Sequence, residues 1–236
     1  MSRLLVLPLL PLVLAAFLGA GCGGGQALTV LPQSAEVAPS PRRLAESLRR
    51  MTGAAPDAFV VLRMQRAGLT PAFGSRFRLA SGPIAGFIPG RHPTRSDELV
   101  VVGAEIGTPG GAALLEAARL VAVRATYAAR PERTVLVALW PRGATVPGLA
   151  ATLRAPLWSS DAVAGAWVVT GDEARVADVL TAFGVSGGVL RPHAAGLGAA
   201  AEAEQLTTAV LALVDREAGP TPPPAVVAPD TLATSR

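Results

Sequence analysis

The stretch from Glu98 to Arg119, ELVVVGAEIGTPGGAALLEAAR, limits what this chain can fold into more than any other. Leu99 to Val102 is a run of apolar and β-branched residues with charge on one side and glycine on the other, the pattern of a buried strand. Gly103 to Gly111 holds four glycines and a proline, which is turn chemistry. From Gly111 the period becomes helical. Leu114, Ala118, Val121, Ala122 and Ala125 share one face, and Glu116, Arg119 and Arg124 share the opposite, polar one. Arg130–Pro131 stops that helix, and Thr134 to Trp140, TVLVALW, is a second buried strand. A crossover helix between two buried strands implies parallel pairing and right-handed winding. The expected fold is α/β, three-layer, with a mainly parallel or mixed sheet between helices.

The chain of 236 residues is one domain of ordinary size plus appendages. Residues 1–21 read as a signal peptide: Arg3 is a short positive region, and Leu4 to Leu18 is an apolar run of secretory length, short for a membrane span. Gly19-Ala20-Gly21-Cys22 follows and contains the only cysteine. It resembles the lipobox of bacterial lipoproteins, in which the cysteine is diacylated and becomes the new N-terminus. The usual aliphatic residue three before the cysteine is Gly19 here, with Leu18 one position further back. An exported protein with one cysteine has no partner for an internal disulfide, which favours a modified Cys22. The alternative is an ordinary secretory signal with an incidental cysteine. Residues 22–41 are rich in glycine, proline and serine and read as a flexible tether.

The domain is expected over residues 42–217. LAESLRRM reads as a short amphipathic helix, and Pro56 to Arg66 as a second, ended by Gly68 and Pro71. Phe77 to Ala80 and Ile84 to Ile88 read as strands around the Ser81-Gly82-Pro83 turn. Later come a strand over Ala162 to Thr170, an N-cap at Asp172, a helix over Glu173 to Phe183, and a helix from Ala199 to Glu217 with Leu206, Val210, Leu213 and Val214 buried. Residues 218–236 carry TPPP and polar residues and are expected to be disordered.

Composition supplies material for a core, since half the residues are hydrophobic. Every basic residue is arginine, and the net charge is only +4. The arginines are scattered along the sequence without interleaved aromatics, so a solvated surface is expected and nucleic-acid binding is not. Gly184-Val185-Ser186-Gly187-Gly188 fits G-x-S-x-G, but it lies between a helix and a strand, the reverse of a nucleophile elbow, so it reads as a turn. His92 and His193 both sit in proline loops. Gly103 to Gly111 lacks G-x-G-x-x-G spacing, and no Walker lysine exists.

From Pro56 to Arg142 the chain resembles the co-catalytic zinc aminopeptidases of peptidase family M 28. The resemblance rests on five patterns in order: AGLTPAFGSRF (Ala67 to Phe77), IAGFIPGR (Ile84 to Arg91), ELVVVGA (Glu98 to Ala104), GGAALLEAARLVA (Gly110 to Ala122) and RPERTVLVALW (Arg130 to Trp140). It fades beyond Leu149. The resemblance implies where the metal ligands would lie, and those positions carry other residues. The first ligand histidine falls on Glu105 and its orienting aspartate on Gly107. The loop for the bridging aspartate is shortened to Thr108-Pro109. The Glu-Glu pair falls on Gly143-Ala144, a later aspartate on Thr170 or a neighbour, and the last histidine has only His193 as a candidate. Zinc needs at least three converging donors. Glu105, Asp172 and His193 do not supply them without rearrangement.

The resemblance therefore implies a shortened, degenerate zinc-aminopeptidase-like domain with no catalytic residue and no cofactor. The expected protein is lipid-anchored through Cys22 to the bacterial cell envelope, on the periplasmic or outer face, and binds a peptide or partner protein. Two alternatives remain: an active metallopeptidase with displaced zinc ligands, and a structural envelope lipoprotein.

Overall fold

The computed structural model describes residues 38–78, 82–127, 130–155 and 158–219. Cys22, the signal, most of the tether and nearly all of the tail lie outside them. The first helix, α1 (Pro41–Met51), starts where the Ser40 side chain accepts from the Arg43 N–H. Helix α2 (Pro56–Arg66) follows. A two-residue strand β1 (Thr70–Pro71), then β2 (Ile84–Ile88) and β3 (Leu99–Glu105), lead into the long α3 (Pro109–Tyr127). After β4 (Thr134–Trp140) come α4 (Thr145–Leu153), β5 (Val163–Val169), α5 (Glu173–Phe183), β6 (Gly187–Leu190) and α6 (Ala199–Glu217).

The six strands form one mixed sheet in the order β1-β2-β4-β3-β5-β6. Strands β3 and β4 are adjacent and parallel, in register from Leu99 beside Thr134 to Glu105 beside Trp140, as the period switch implies. Strands β5 and β6 extend the parallel part, while β2 runs antiparallel to β4 at the other side. The partner expected for β2 differs. Thr70–Pro71 fills that place, and Arg78 makes only an isolated bridge to Ile84. Residues 79–81 lie outside the described residues.

Alternation along the strands builds two cores. Val100, Val102, Val135, Val137 and Leu139 face α1, α2, α3 and α6, whereas Val101, Leu136, Ala138 and Trp140 face α4 and α5. This is the three-layer α/β arrangement. Helix α4 is absent from the sequence expectation, and it contains Pro147 and Gly148, the two poorest helix formers. Pro147 sits in the first turn, where a missing N–H costs little. Gly148 is required by packing: a Cβ there would lie 2.3 Å from the Trp140 ring, and one at Gly103 would lie 2.1 Å from its far edge. Trp140 is fully buried between these glycines, and its Nε1–H donates to Thr152 Oγ1 at 3.2 Å.

Helix α3 corrects a second expectation. At Glu116 its supposed polar face is not on the surface, because α1 packs over the helix while α2 and α6 flank it. Glu116 is only 1% exposed. Its carboxylate accepts from the Ser40 N–H (3.2 Å), Arg43 Nε (3.1 Å), and Arg119 Nε and Nη2 (3.1 and 2.9 Å), with Arg63 at 4.0 Å. Burial pushes this carboxyl up, but the Arg119 and Arg43 guanidinium groups outweigh it and hold the group below the usual range. At the chain's other end, Ala218 is also buried, and its carbonyl accepts from the Glu132 and Arg133 N–H groups.

Candidate functional site

The parallel strands β4, β3 and β5 end together, and their following helices leave on opposite faces: α3 on one, α4 and α5 on the other. Open α/β sheets form their ligand crevice at such a switch point, outside the carboxyl ends of the strands. A cavity of about 300 Å³ lies there, lined by Glu105 from the end of β3, Gly143 and Thr145 after β4, and Thr170, Asp172 and Arg175 after β5.

Two of the helices that start at this rim are capped by a side chain of their own loop. Thr108 Oγ1 accepts from the Gly111 N–H at 3.1 Å and donates to the Glu105 carbonyl at 2.8 Å, so Thr108-Pro109 is the cap and first residue of α3. That pair pulls the helix start two residues ahead of the Gly111 expected from the sequence. Asp172 accepts from the Arg175 N–H at 3.2 Å, confirming it as the α5 cap, and pairs with the Arg175 side chain at 3.5 Å. Helix α4 has no cap of its own, since Ala144 offers no acceptor. Glu105 supplies it from 40 residues away: its carboxylate accepts from the Thr145 N–H at 3.0 Å and from the Thr145 hydroxyl. A carboxylate at a helix N-terminus also meets the positive end of the helix dipole.

Close approach seals the floor. A Cβ on Gly111 would stand 2.3 Å from the Glu105 carbonyl oxygen, and one on Gly110 would stand 2.6 Å from that of Val169. The start of α3 is therefore wedged between the ends of β3 and β5, which only glycine permits. Thr170 carries the cost of this junction, with φ +62°, a left-handed conformation that a β-branched residue rarely takes. Its N–H donates to the Leu190 carbonyl at 2.9 Å.

The positions singled out in the sequence divide accordingly. Glu105 and Gly143 line the cavity. Gly107 lies beside it in a left-handed turn, its carbonyl accepting from Arg142 Nη2 at 3.3 Å. Ala144 is the residue preceding α4. His193 is exposed in the loop after β6 and does not line the cavity. His92 belongs to the loop between β2 and β3, where its Nδ1 accepts from the Thr94 N–H. Thr145, the partner of Glu105, carries no signal in the sequence beyond its place before a cryptic helix. Among the described residues, no three His, Cys, Asp or Glu side chains come together closely enough to hold a metal ion. The donor set does not fit zinc: the cavity's two carboxylates already serve as helix caps, and no third donor joins them.

The sheet and its helices superpose on the Legionella pneumophila aminopeptidase LapA with a TM-score of 0.50, at 8% identity, covering 76% of this chain and 72% of that one. The fold is aminopeptidase-like. The glutaminyl cyclase of Porphyromonas gingivalis covers 75% of this chain and 98% of its own, at 8% identity and a TM-score of 0.49. The aminopeptidase from Aneurinibacillus sp. strain AM-1 covers 59%, at 11% identity and a TM-score of 0.42. This chain spans about half of the Aneurinibacillus protein, 48%. No family model and no curated protein matches the chain.

Proposed function

We propose that this protein is a lipid-anchored envelope protein whose shortened, degenerate aminopeptidase-like domain has lost peptide hydrolysis and serves as a peptide- or protein-binding module. One observation carries the loss of catalysis: the carboxylate of Glu105, at the position where the resemblance puts a ligand histidine, is committed to the Thr145 N–H and hydroxyl. The base position supports the same reading, because Gly143 and Ala144 have no group that accepts a proton. General-base catalysis alone is worth about 10²–10⁴ in rate. The cavity lining is mainly polar, from Glu105, Thr145, Thr170, Asp172 and Arg175, which suits a peptide more than an apolar ligand.

Anchoring rests on Cys22, the sole cysteine, placed directly after the apolar run and before a glycine-rich stretch. Among the described residues, no helix is long and apolar enough to cross a membrane. An acylated cysteine gives attachment without a span.

Two experiments test the proposal. Metal analysis alongside aminoacyl-anilide hydrolysis, with and without added zinc, is expected to give substoichiometric zinc and no turnover. Stoichiometric zinc with chelator-sensitive turnover would establish an active enzyme with displaced ligands instead. Membrane fractionation of wild type and Cys22→Ser, washed in about 1 M salt to screen surface charge, is expected to release only the variant. Equal solubility, with no acyl mass on Cys22, refutes the anchor.

A further inference from the structure

The sequence scatters its arginines, but the fold gathers several on one face. Helices α1 and α2 lie side by side, and the groove between them, about 790 Å³, is rimmed by Arg49 and Arg50 of α1 and by Arg63 and Arg66 of α2. The helical period explains the gathering: Arg42, Arg49 and Arg50 recur along the outer side of α1, and Phe59, Leu62, Arg63 and Arg66 along that of α2. Acidic charge cancels it only in part, and Arg63 stands 4.0 Å from Glu116. Glu46 is the one acidic residue lining the groove and shares itself between Arg49 and Arg50, while Asp57 nearby is taken by Arg78. The face also has apolar content. Leu62 is 41% exposed, the one exposed large hydrophobic among the described residues. Phe59 lies beside it under the Arg63 guanidinium, 5.9 Å from the ring centre.

A second observation says what covers this face. The described chain begins next to it. Ala38 is held through its carbonyl by Arg119, and Ser40 lines a smaller hollow together with Arg42, Arg43, Ala45, Glu46 and Arg49. Fifteen residues, Gly23 to Val37, separate Cys22 from the described chain. We propose that the α1–α2 face docks on an anionic phospholipid surface, with the arginines among the headgroups and Leu62 at the acyl boundary. This gives the membrane a second contact beyond the anchor, an electrostatic attraction to anionic lipids added to the acyl chains. The cellular setting rests on the acylation of Cys22; the contact itself does not.

The test separates the two. Every described buried residue lies between Leu44 and Ala218, so a chain starting at Gly23 keeps the described core while lacking signal and cysteine. Its binding to vesicles is measured by cosedimentation, on phosphatidylcholine alone and on phosphatidylcholine mixed with phosphatidylglycerol. The expected result is binding to the anionic vesicles only, abolished at about 1 M salt, where the screening length falls to about 3 Å. Arg49→Gln/Arg50→Gln/Arg66→Gln is expected to weaken the partition roughly 100-fold, since each basic residue near such a surface contributes several-fold. Arg76→Gln/Arg191→Gln/Arg216→Gln, on other elements, is expected to weaken it less than about threefold, and circular dichroism checks that both variants are folded. Leu62→Ser is expected to weaken binding without changing its dependence on salt. Equal binding to both vesicle types, equal losses in the two triple variants, or no binding at all overturns the proposal. So does preferential capture by polyglutamate, which would make an acidic protein the occupant.

Discussion

Glu116→Gln tests whether one buried carboxylate holds the helical layer together. The substitution keeps the shape of the side chain. It removes the negative charge and turns an amide NH₂ toward guanidinium groups that are themselves donors. Breaking a buried ion pair from one side costs about 3–5 kcal/mol, because the partner charge stays behind. The side chains of Arg43 and Arg119 are 34% and 15% exposed, so water recovers part of that, and about 2–3 kcal/mol remains. Against a typical domain stability of about 5–15 kcal/mol this is a large fraction. Urea unfolding followed by far-ultraviolet circular dichroism reads it as a midpoint lowered by about 1–2 M with an unchanged slope. The acid limb gives an independent reading. The folded-state pKa of Glu116 is depressed, so its stabilisation is present above the unfolded-state value and disappears as pH falls through the folded one. Wild type is expected to lose this contribution below the ordinary glutamate range, and Glu116→Gln to show a flatter acid limb. A midpoint shift corresponding to less than about 0.5 kcal/mol, with an unaltered acid limb, would refute the clasp.

Three further perturbations probe the site and the fold. Glu105→Ala removes the α4 cap and is expected to cost about 1–2 kcal/mol in thermal or urea unfolding, whereas Glu105→Asp, too short to reach Thr145, should cost nearly as much. Gly103→Ala and Gly148→Ala each drive a methyl into the Trp140 ring, with an expected loss of about 1–3 kcal/mol and altered Trp140 fluorescence. Thr170→Gly relieves the left-handed strain and is expected to stabilise by about 1 kcal/mol; a loss of stability would show that the hydroxyl holds the junction.

The parallel pair β3–β4 was legible because both strands are unbroken apolar runs and the connection changes period at a glycine turn. Helix α3 was legible as a helix and illegible as a buried one. Its acidic residue looks solvent-directed until Ser40 and Arg43, more than 70 residues earlier, are known to close over it. Helix α4 hid behind Pro147-Gly148, where the glycine answers to a tryptophan on another element rather than to a turn. At the cavity, Glu105 and Gly143 are positions the sequence singled out through resemblance, but the use of Glu105 was not legible. A cap that reaches across 40 residues leaves no local spacing to read. The grouping of arginines on α1 and α2 needed the two helices to be set side by side.

The clasp at Glu116 also governs how the domain bears load. A pull applied to the chain at residue 38 meets Ser40 and Arg43 first, and both are fastened to the middle layer of the fold through α3. Tension is thus passed to the most deeply embedded helix before it can peel α1 from its end. Hydrogen bonds engaged together from several directions share force, where the rungs of a fraying terminus would break one at a time. A pull at Ala38 would therefore be carried by the interior of the domain.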